Sequence, residues 1–224
     1  LKMLRAGTES VSTNNKFLTE AVITGELEHP NIVPIYDLGA NAGGDLFYAM
    51  KEVRGAPWRK TIDTASEDDN LEVLLKVADA IAFSHSRGVV HRDLKPDNVM
   101  IGEFGEVLVM DWGLALPVGE FTKEGLALSH GPCGTPAYMA PEMAAPNGKV
   151  SFASDVYLLG AMLYRIATGK APHTAKSARL CLESAMRNDI VEAEGNEELL
   201  TIARKAMATD PADRHQTAQE FQDC

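Results

Sequence analysis

The chain has little cysteine, a shortage of cationic side chains and no long apolar run, and each lack argues against a class of function. Cys133, Cys181 and Cys224 are the three cysteines in 224 residues, and they lie far apart. That spacing builds neither a disulfide framework nor a zinc site, and it points to a reducing compartment. Lys and Arg number 21 against 32 Asp and Glu, a formal charge of −11. Phosphate-backbone contacts need clustered Lys and Arg, so this balance argues against nucleic acid as the main partner. No apolar stretch approaches the ~20 residues of a membrane-spanning helix, and no signal peptide is visible. Internal repeats and low-complexity tracts are also missing. What is there, 45% hydrophobic residues, suffices for a buried core in one domain or in two lobes around a cleft.

The most informative stretch runs from His91 to Gly113. It reads H-R-D-L-K-P-D-N, then twelve residues of strand-like sequence, then D-W-G. Phosphoryl transfer needs an acceptor oxygen held in line, counter-charge for phosphates, and divalent metal for developing negative charge. Asp93 is a carboxylate able to orient a hydroxyl and accept its proton, and Lys95 supplies a cation beside the transferred group. Asn98 and Asp111 offer the hard oxygen ligands that Mg²⁺ prefers. Val89-Val90 reads as a short strand before this loop. Val99–Ile101 and Val107–Met110 read as two strands joined by Gly102-Glu103-Phe104-Gly105. Asn98 and Asp111 therefore flank a hairpin whose base brings them side by side.

Elsewhere the periodicity predicts a helix over Phe17–Leu27 and strands over Ile32–Leu38 and Leu46–Val53, with a glycine-rich turn at Gly39–Gly44. Arg54-Gly55-Ala56-Pro57 breaks the pattern. A helix is expected from Asn70, closed by Gly88, and a mostly apolar, buried one from Asp155 to Thr168, closed by Gly169. Leu199 to Met207 marks a third, and Thr217–Cys224 the start of a last one.

These motifs resemble the protein-kinase catalytic core, with H-R-D, D-W-G in place of the usual D-F-G, and G-T-P-A-Y-M-A-P-E at 134–142. The likeness runs over nearly the whole chain. It is strongest toward the bacterial branch of eukaryotic-like Ser/Thr kinases, which E-H-P-N-I-V-P-I-Y-D-L-G at 28–39 and V-L-V-M-D-W-G-L-A at 107–115 also resemble. It implies an α+β, two-lobed fold, with a small antiparallel-sheet N-lobe, incomplete here, over residues 1–53 and a mostly helical C-lobe over 54–224. The catalytic loop then spans 91–98 and the activation segment 111–142. The resemblance also implies ATP and Mg²⁺ as cofactors, Asn98 and Asp111 as metal ligands, and a protein substrate with a Ser or Thr acceptor. A non-catalytic kinase-fold scaffold or nucleotide sensor is the alternative, and a small-molecule phosphotransferase a third. The acidic surface weakly favours basic or neutral protein substrates.

Other roles follow from the likeness alone. Lys2, in Leu1-Lys2-Met3-Leu4, matches the strand lysine that holds nucleotide phosphates, and Glu20 the helix glutamate that holds the lysine; the alternative is a pair of solvated surface charges. Glu52 and Val53 match hinge positions that offer backbone to adenine, with Met50 as gatekeeper, and Met100 joins Lys2, Lys95, Asn98 and Asp111 among the nucleotide-binding positions. Trp112 is expected to pack behind Asp111. Thr135 is expected to bond Asp93 or Lys95, the Ser/Thr pattern, or else to be an ordinary turn residue before Pro136. Glu142 and Arg214 match a buried ion pair. Asp155 is expected to cap its helix, to hold the catalytic-loop backbone, or to do both. Arg92 matches an arginine that responds to a phosphate on the activation segment, for which Thr122 and Ser129 are the candidates, unmodified loop residues being the alternative. Cys133 is a redox handle or an idle thiol. The family's Gly-rich loop is expected upstream of Leu1, since Gly102, Gly105 and Gly113 belong to turns. Both ends are therefore expected to be cut, and the fragment alone to bind nucleotide poorly. The expected location is cytoplasmic, either free or as the cytoplasmic domain of a membrane-anchored protein.

Overall fold

The structure, a computed structural model, describes residues 1–4, 11–118 and 131–224. Near the N-terminus, β2 (Ile35–Ala40) and β3 (Leu46–Met50) form an antiparallel hairpin, and β1 (Lys2–Met3) pairs with the other edge of β3. Asn41 closes the hairpin turn, its Oδ1 accepting the N–H groups of Gly43 and Asp45, each at 2.9 Å. Across this sheet lies α1 (Val11–Gly25). Phe17 and Ala21 on it pack on Tyr48 of β3, while Ile23 near its end and Leu27 just beyond it join the main core.

The strand expected over Leu46–Val53 ends at Met50. Beyond it Lys51 donates to Pro34 O, and Glu52–Arg54 form no strand. Gly55–Pro57, which reads as a breaker, is instead strand β4, paired to a different sheet. A Cβ at Gly55 would collide with Ile101 O, so only glycine allows that pairing. Pro57 is tolerated because β4 is an edge strand.

That second sheet has the order β4-β6-β7, with β6 at Val99–Gly102 and β7 at Val107–Val109. A further ribbon joins β5 (Val89–Val90) to β8 (Leu116–Pro117). The segment between α1 and β2 is stitched to β7: Val33 N donates to Val109 O, and Asn31 Nδ2 to Val107 O at 2.9 Å. The small sheet is thereby fixed against the hairpin that carries Asn98 and Asp111.

The rest is helical. Helix α2 (Glu67–Ser86) begins earlier than the apolar periodicity indicates, because Ser66 caps it by accepting from Asp69 N and three acidic residues fill its first turn. Two shorter helices, α3 (Pro141–Ala144) and α5 (Ala178–Arg187), pack on each other, and in the central α4 (Phe152–Thr168) every residue from Ala153 to Tyr164 is buried. Gly160 lets α6 (Glu197–Ala206) approach α4, since a Cβ there would lie 2.6 Å from that of Ala206. Helix α7 (Ala218–Gln222) closes the packing on α2. Helix α5 was not expected from sequence: it is short, and only Cys181 and Ala185 on it are buried. Among the described residues no helix is long and apolar enough to cross a membrane. A small antiparallel sheet with a mostly helical remainder is the expected α+β class.

Candidate active site

Strand β5 delivers the chain into the loop 91–98, and the buried carboxylate of Asp155 fixes how that loop starts. Asp155 Oδ2 accepts from His91 N at 2.8 Å and Oδ1 from Arg92 N at 2.9 Å. Arg92 is held at φ 70°, a left-handed backbone that costs a non-glycine residue about 1 kcal/mol or more. These bonds offset that cost. Capping of α4 falls to Ser151, not Asp155, which lies four residues further on and faces the loop.

From this anchor the polar side chains converge. Asp93 Oδ1 accepts the Thr135 hydroxyl at 2.8 Å, and Oδ2 lies 2.9 Å from Lys95 Nζ. Lys95 Nζ also reaches Thr135 Oγ1 at 2.5 Å, closing a triangle. Asn98 Nδ2 donates to Asp93 O and Oδ2, at 2.8 and 2.9 Å, which leaves Asn98 Oδ1 as its ligand end. The hairpin base forms as expected: Met110 N donates to Asn98 O at 2.8 Å, so Asp111 follows directly beside Asn98. Asp111 is exposed, with φ 58°. Trp112 behind it is buried, its ring centroid 4.5 Å from that of His91. Gly134, at φ 116°, brings Thr135 close to the loop; a Cβ there would lie 2.8 Å from Arg92 O.

Across the cleft, Lys2 Nζ lies 2.6 Å from Glu20 Oε1. The buried Tyr48 hydroxyl donates to the same oxygen at 2.8 Å, and burial together with the Glu20 charge pushes its pKa above the usual phenol value. A cavity of about 260 Å³ is walled by Lys2, Glu20, Val33, Met50, Asp111 and Trp112. Glu52, Val53 and Met100 are not among its walls: Glu52 is exposed, Val53 half-buried beyond the strand end, and Met100 lies in β6 opposite Leu108.

Residues 1–223 match the protein kinase domain family. The chain belongs to that family. Similar curated relatives include the serine/threonine-protein kinase PknD of Chlamydia muridarum, 34% identical over 99% of this chain and 28% of that protein. PknB of Mycobacterium leprae is 34% identical over 99% of this chain and 37% of its own length. PknD of Protochlamydia amoebophila is 32% identical over 95% and 25%. The chain thus spans between a quarter and two fifths of the relatives it matches.

Several features of this kinase domain had no clear sequence signal. Tyr48 meets Lys2 and Glu20 only through the β1–β3 register, which pairs Lys2 with Tyr48. His85 on α2 lies 2.9 Å from Asp155 Oδ2, seventy residues away. Arg165 on α4 joins Tyr138, whose hydroxyl accepts at 2.9 Å, to Asp63, whose carboxylate oxygens accept at 2.9 and 3.1 Å. Glu142 and Arg214, expected as a pair, form a two-pronged contact at 2.8 Å on each prong. Arg92 Nε donates to Leu114 O. Thr122 and Ser129 lie outside the described residues.

Three buried imidazoles set the acid response. Burial pushes the pKa values of His91, His173 and His215 below the ordinary value of 6.5, with Lys205 adding to the effect on His215, against the opposing pull of Asp155 and Asp93 on His91, of the Asp189 carbonyl on His173 and of Glu220 on His215. The unfolded chain then binds these protons more readily than the folded one, so stability falls as pH drops below about 6.5. Burial alone would raise Glu142 and Asp155, but Arg214 in one case and His85 in the other outweigh it and hold both low. Their contribution is present above ordinary carboxylate pKa values and is lost below about pH 4.5. The melting temperature, followed from pH 8 to 4, is expected to decline in two stages. A flat profile between pH 7 and 5 would contradict the assignment of neutral buried imidazoles.

Proposed function

We propose that the chain is the catalytic domain of an ATP-dependent Ser/Thr protein kinase that passes the γ-phosphoryl group to a protein hydroxyl. The observation that carries this reading is the closed triangle of Asp93, Lys95 and Thr135 beside Asn98 and Asp111. In it Asp93 presents a carboxylate that orients the acceptor hydroxyl and takes its proton. Lys95 stands where charge develops on the transferred group. Lys2, steadied by Glu20 and Tyr48, faces the phosphates. The oxygens of Asn98 and Asp111 form the hard donor set that suits Mg²⁺, which when bound neutralises charge on the phosphates. Glu52, Val53 and Met100 complete the nucleotide-binding positions by family likeness, and Thr135 to Glu142 form the acceptor side. The relatives' names as serine/threonine kinases support a protein acceptor. Three unpaired cysteines support work in the cytoplasm.

The test is incubation of the intact protein with Mg-ATP and a basic acceptor protein, followed by identification of the phosphorylated amino acid. Phosphoserine or phosphothreonine is expected. Phosphotyrosine alone, or no transfer with nucleotide still bound, would overturn the reading, and the latter would favour the nucleotide-sensor alternative.

A further inference from the structure

We infer that His85, a residue outside the cleft, is a positioning residue for the reaction: it locks the carboxylate that shapes the catalytic loop. This rests on the kinase reading above and adds a residue to it.

Asp155 is fully buried, and its two oxygens take three described donors: His91 N, Arg92 N and His85 Nε2. The first two belong to the loop being held. His85 approaches from α2 and bonds Oδ2, the oxygen that also accepts from His91 N. An ionised carboxylate only accepts, so Nε2 must carry the proton and donate. Without His85 the carboxylate keeps only its two bonds to the loop it holds, and no donor from another element fixes its last torsion. The loop then loses the fixed reference that keeps Arg92 at φ 70°. Asp93, the proposed proton acceptor, is the next residue.

The other ring nitrogen explains why this position is a histidine. Nδ1 is buried and has no hydrogen-bond partner among the described residues. The ring packs on Phe152, centroid to centroid 4.6 Å. An apolar side chain would keep that contact and bury no unpartnered nitrogen, so packing alone disfavours the imidazole. Its compensating contact is the bond to Asp155. The charged and titratable groups facing this bond are Asp155 on α4 and, across the same carboxylate, His91 and Arg92 on the loop.

The experiment compares His85→Ala and His85→Gln with wild type in the intact protein. Three readings are taken: kcat and KM for ATP, melting temperature, and hydrogen exchange of the His91 and Arg92 amides. His85→Ala is expected to lower kcat about tenfold with KM for ATP within about twofold, and to speed exchange of both amides. His85→Gln, which keeps an N–H donor, is expected to restore part of kcat and of the protection. Unchanged exchange in folded His85→Ala overturns the inference, as does unchanged kcat, and so does a Gln variant as impaired as Ala at equal melting temperature. If His85→Ala does not fold, His85→Gln decides alone: full loss of protection in folded protein overturns the inference, and partial protection supports it. The exchange readout needs no phosphoryl transfer, so an inactive wild type would sink the kinase reading and leave the anchoring claim to be judged separately.

Discussion

Asp93→Asn is expected to reduce phosphoryl transfer by about 10²–10⁴-fold, the range that a positioned general base contributes, while nucleotide affinity changes little. The geometry explains why this substitution isolates chemistry. Asp93 Oδ2 faces two donors, Lys95 Nζ and Asn98 Nδ2. In the Asn variant the amide oxygen must take that side, leaving the NH₂ toward Thr135. The Thr135 oxygen has lone pairs enough to accept from both Lys95 and the new amide, but its own proton loses its partner. The site keeps its shape at the cost of one hydrogen bond, and the carboxylate oxygen proposed to take the acceptor's proton is replaced by a donor. Phosphate incorporation per enzyme should therefore collapse while nucleotide binding and melting temperature stay near wild type. Equal incorporation by wild type and Asp93→Asn would remove the mechanism proposed here.

How much of this was legible beforehand depended on whether the partners were close in sequence. Asp93, Lys95 and Asn98 sit within six residues, and a single hairpin brings Asp111 beside them, so local pattern and turn chemistry placed the group. Lys2 and Glu20 are eighteen apart, and spacing alone left them as either an ion pair or two surface charges; the observed 2.6 Å contact depends on the register of β1 against β3 and on the packing of α1. Tyr48 and His85 were invisible, because each acts through a partner that only tertiary structure supplies. The two roles left open for Asp155 separate for a physical reason: the start of α4 has its own cap in Ser151, which frees the aspartate to turn inward. The strand at Gly55–Pro57 was hidden because its letters signal a break, and only the close approach to Ile101 makes glycine an asset there. Helix α5 was hidden for the opposite reason, since its mixed surface residues obscure a narrow buried stripe.

Glu142→Gln is expected to be the most destabilising single change away from the cleft. Arg214 is fully buried, and both Glu142 oxygens accept from it at 2.8 Å. Its remaining N–H groups donate to Ala153 O and Ala208 O, each at 2.8 Å, and to Thr209 O at 3.3 Å, and its guanidinium lies 5.0 Å from the centre of the Tyr157 ring. Neutralising Glu142 leaves a cation in the core with only dipoles around it. Removing one partner of a buried pair costs about 3–5 kcal/mol, a large share of a total stability of about 5–15 kcal/mol. At ~2–4 °C per kcal/mol for a chain of this size, the melting temperature should fall by roughly 6–20 °C. The lost contact also ends the segment that begins at Thr135, so KM for the protein acceptor should rise more than KM for ATP. Glu142→Met with Arg214→Met should be less destabilised than either single change, because no charge is then stranded. A Glu142→Gln protein that melts within about 1 °C of wild type, or a double variant as weak as the sum of the singles, would show that the pair is not what holds α3 to the end of the chain. Lysine at 214 should not rescue the pair, since an ammonium cannot grip both carboxylate oxygens and the three carbonyls at once.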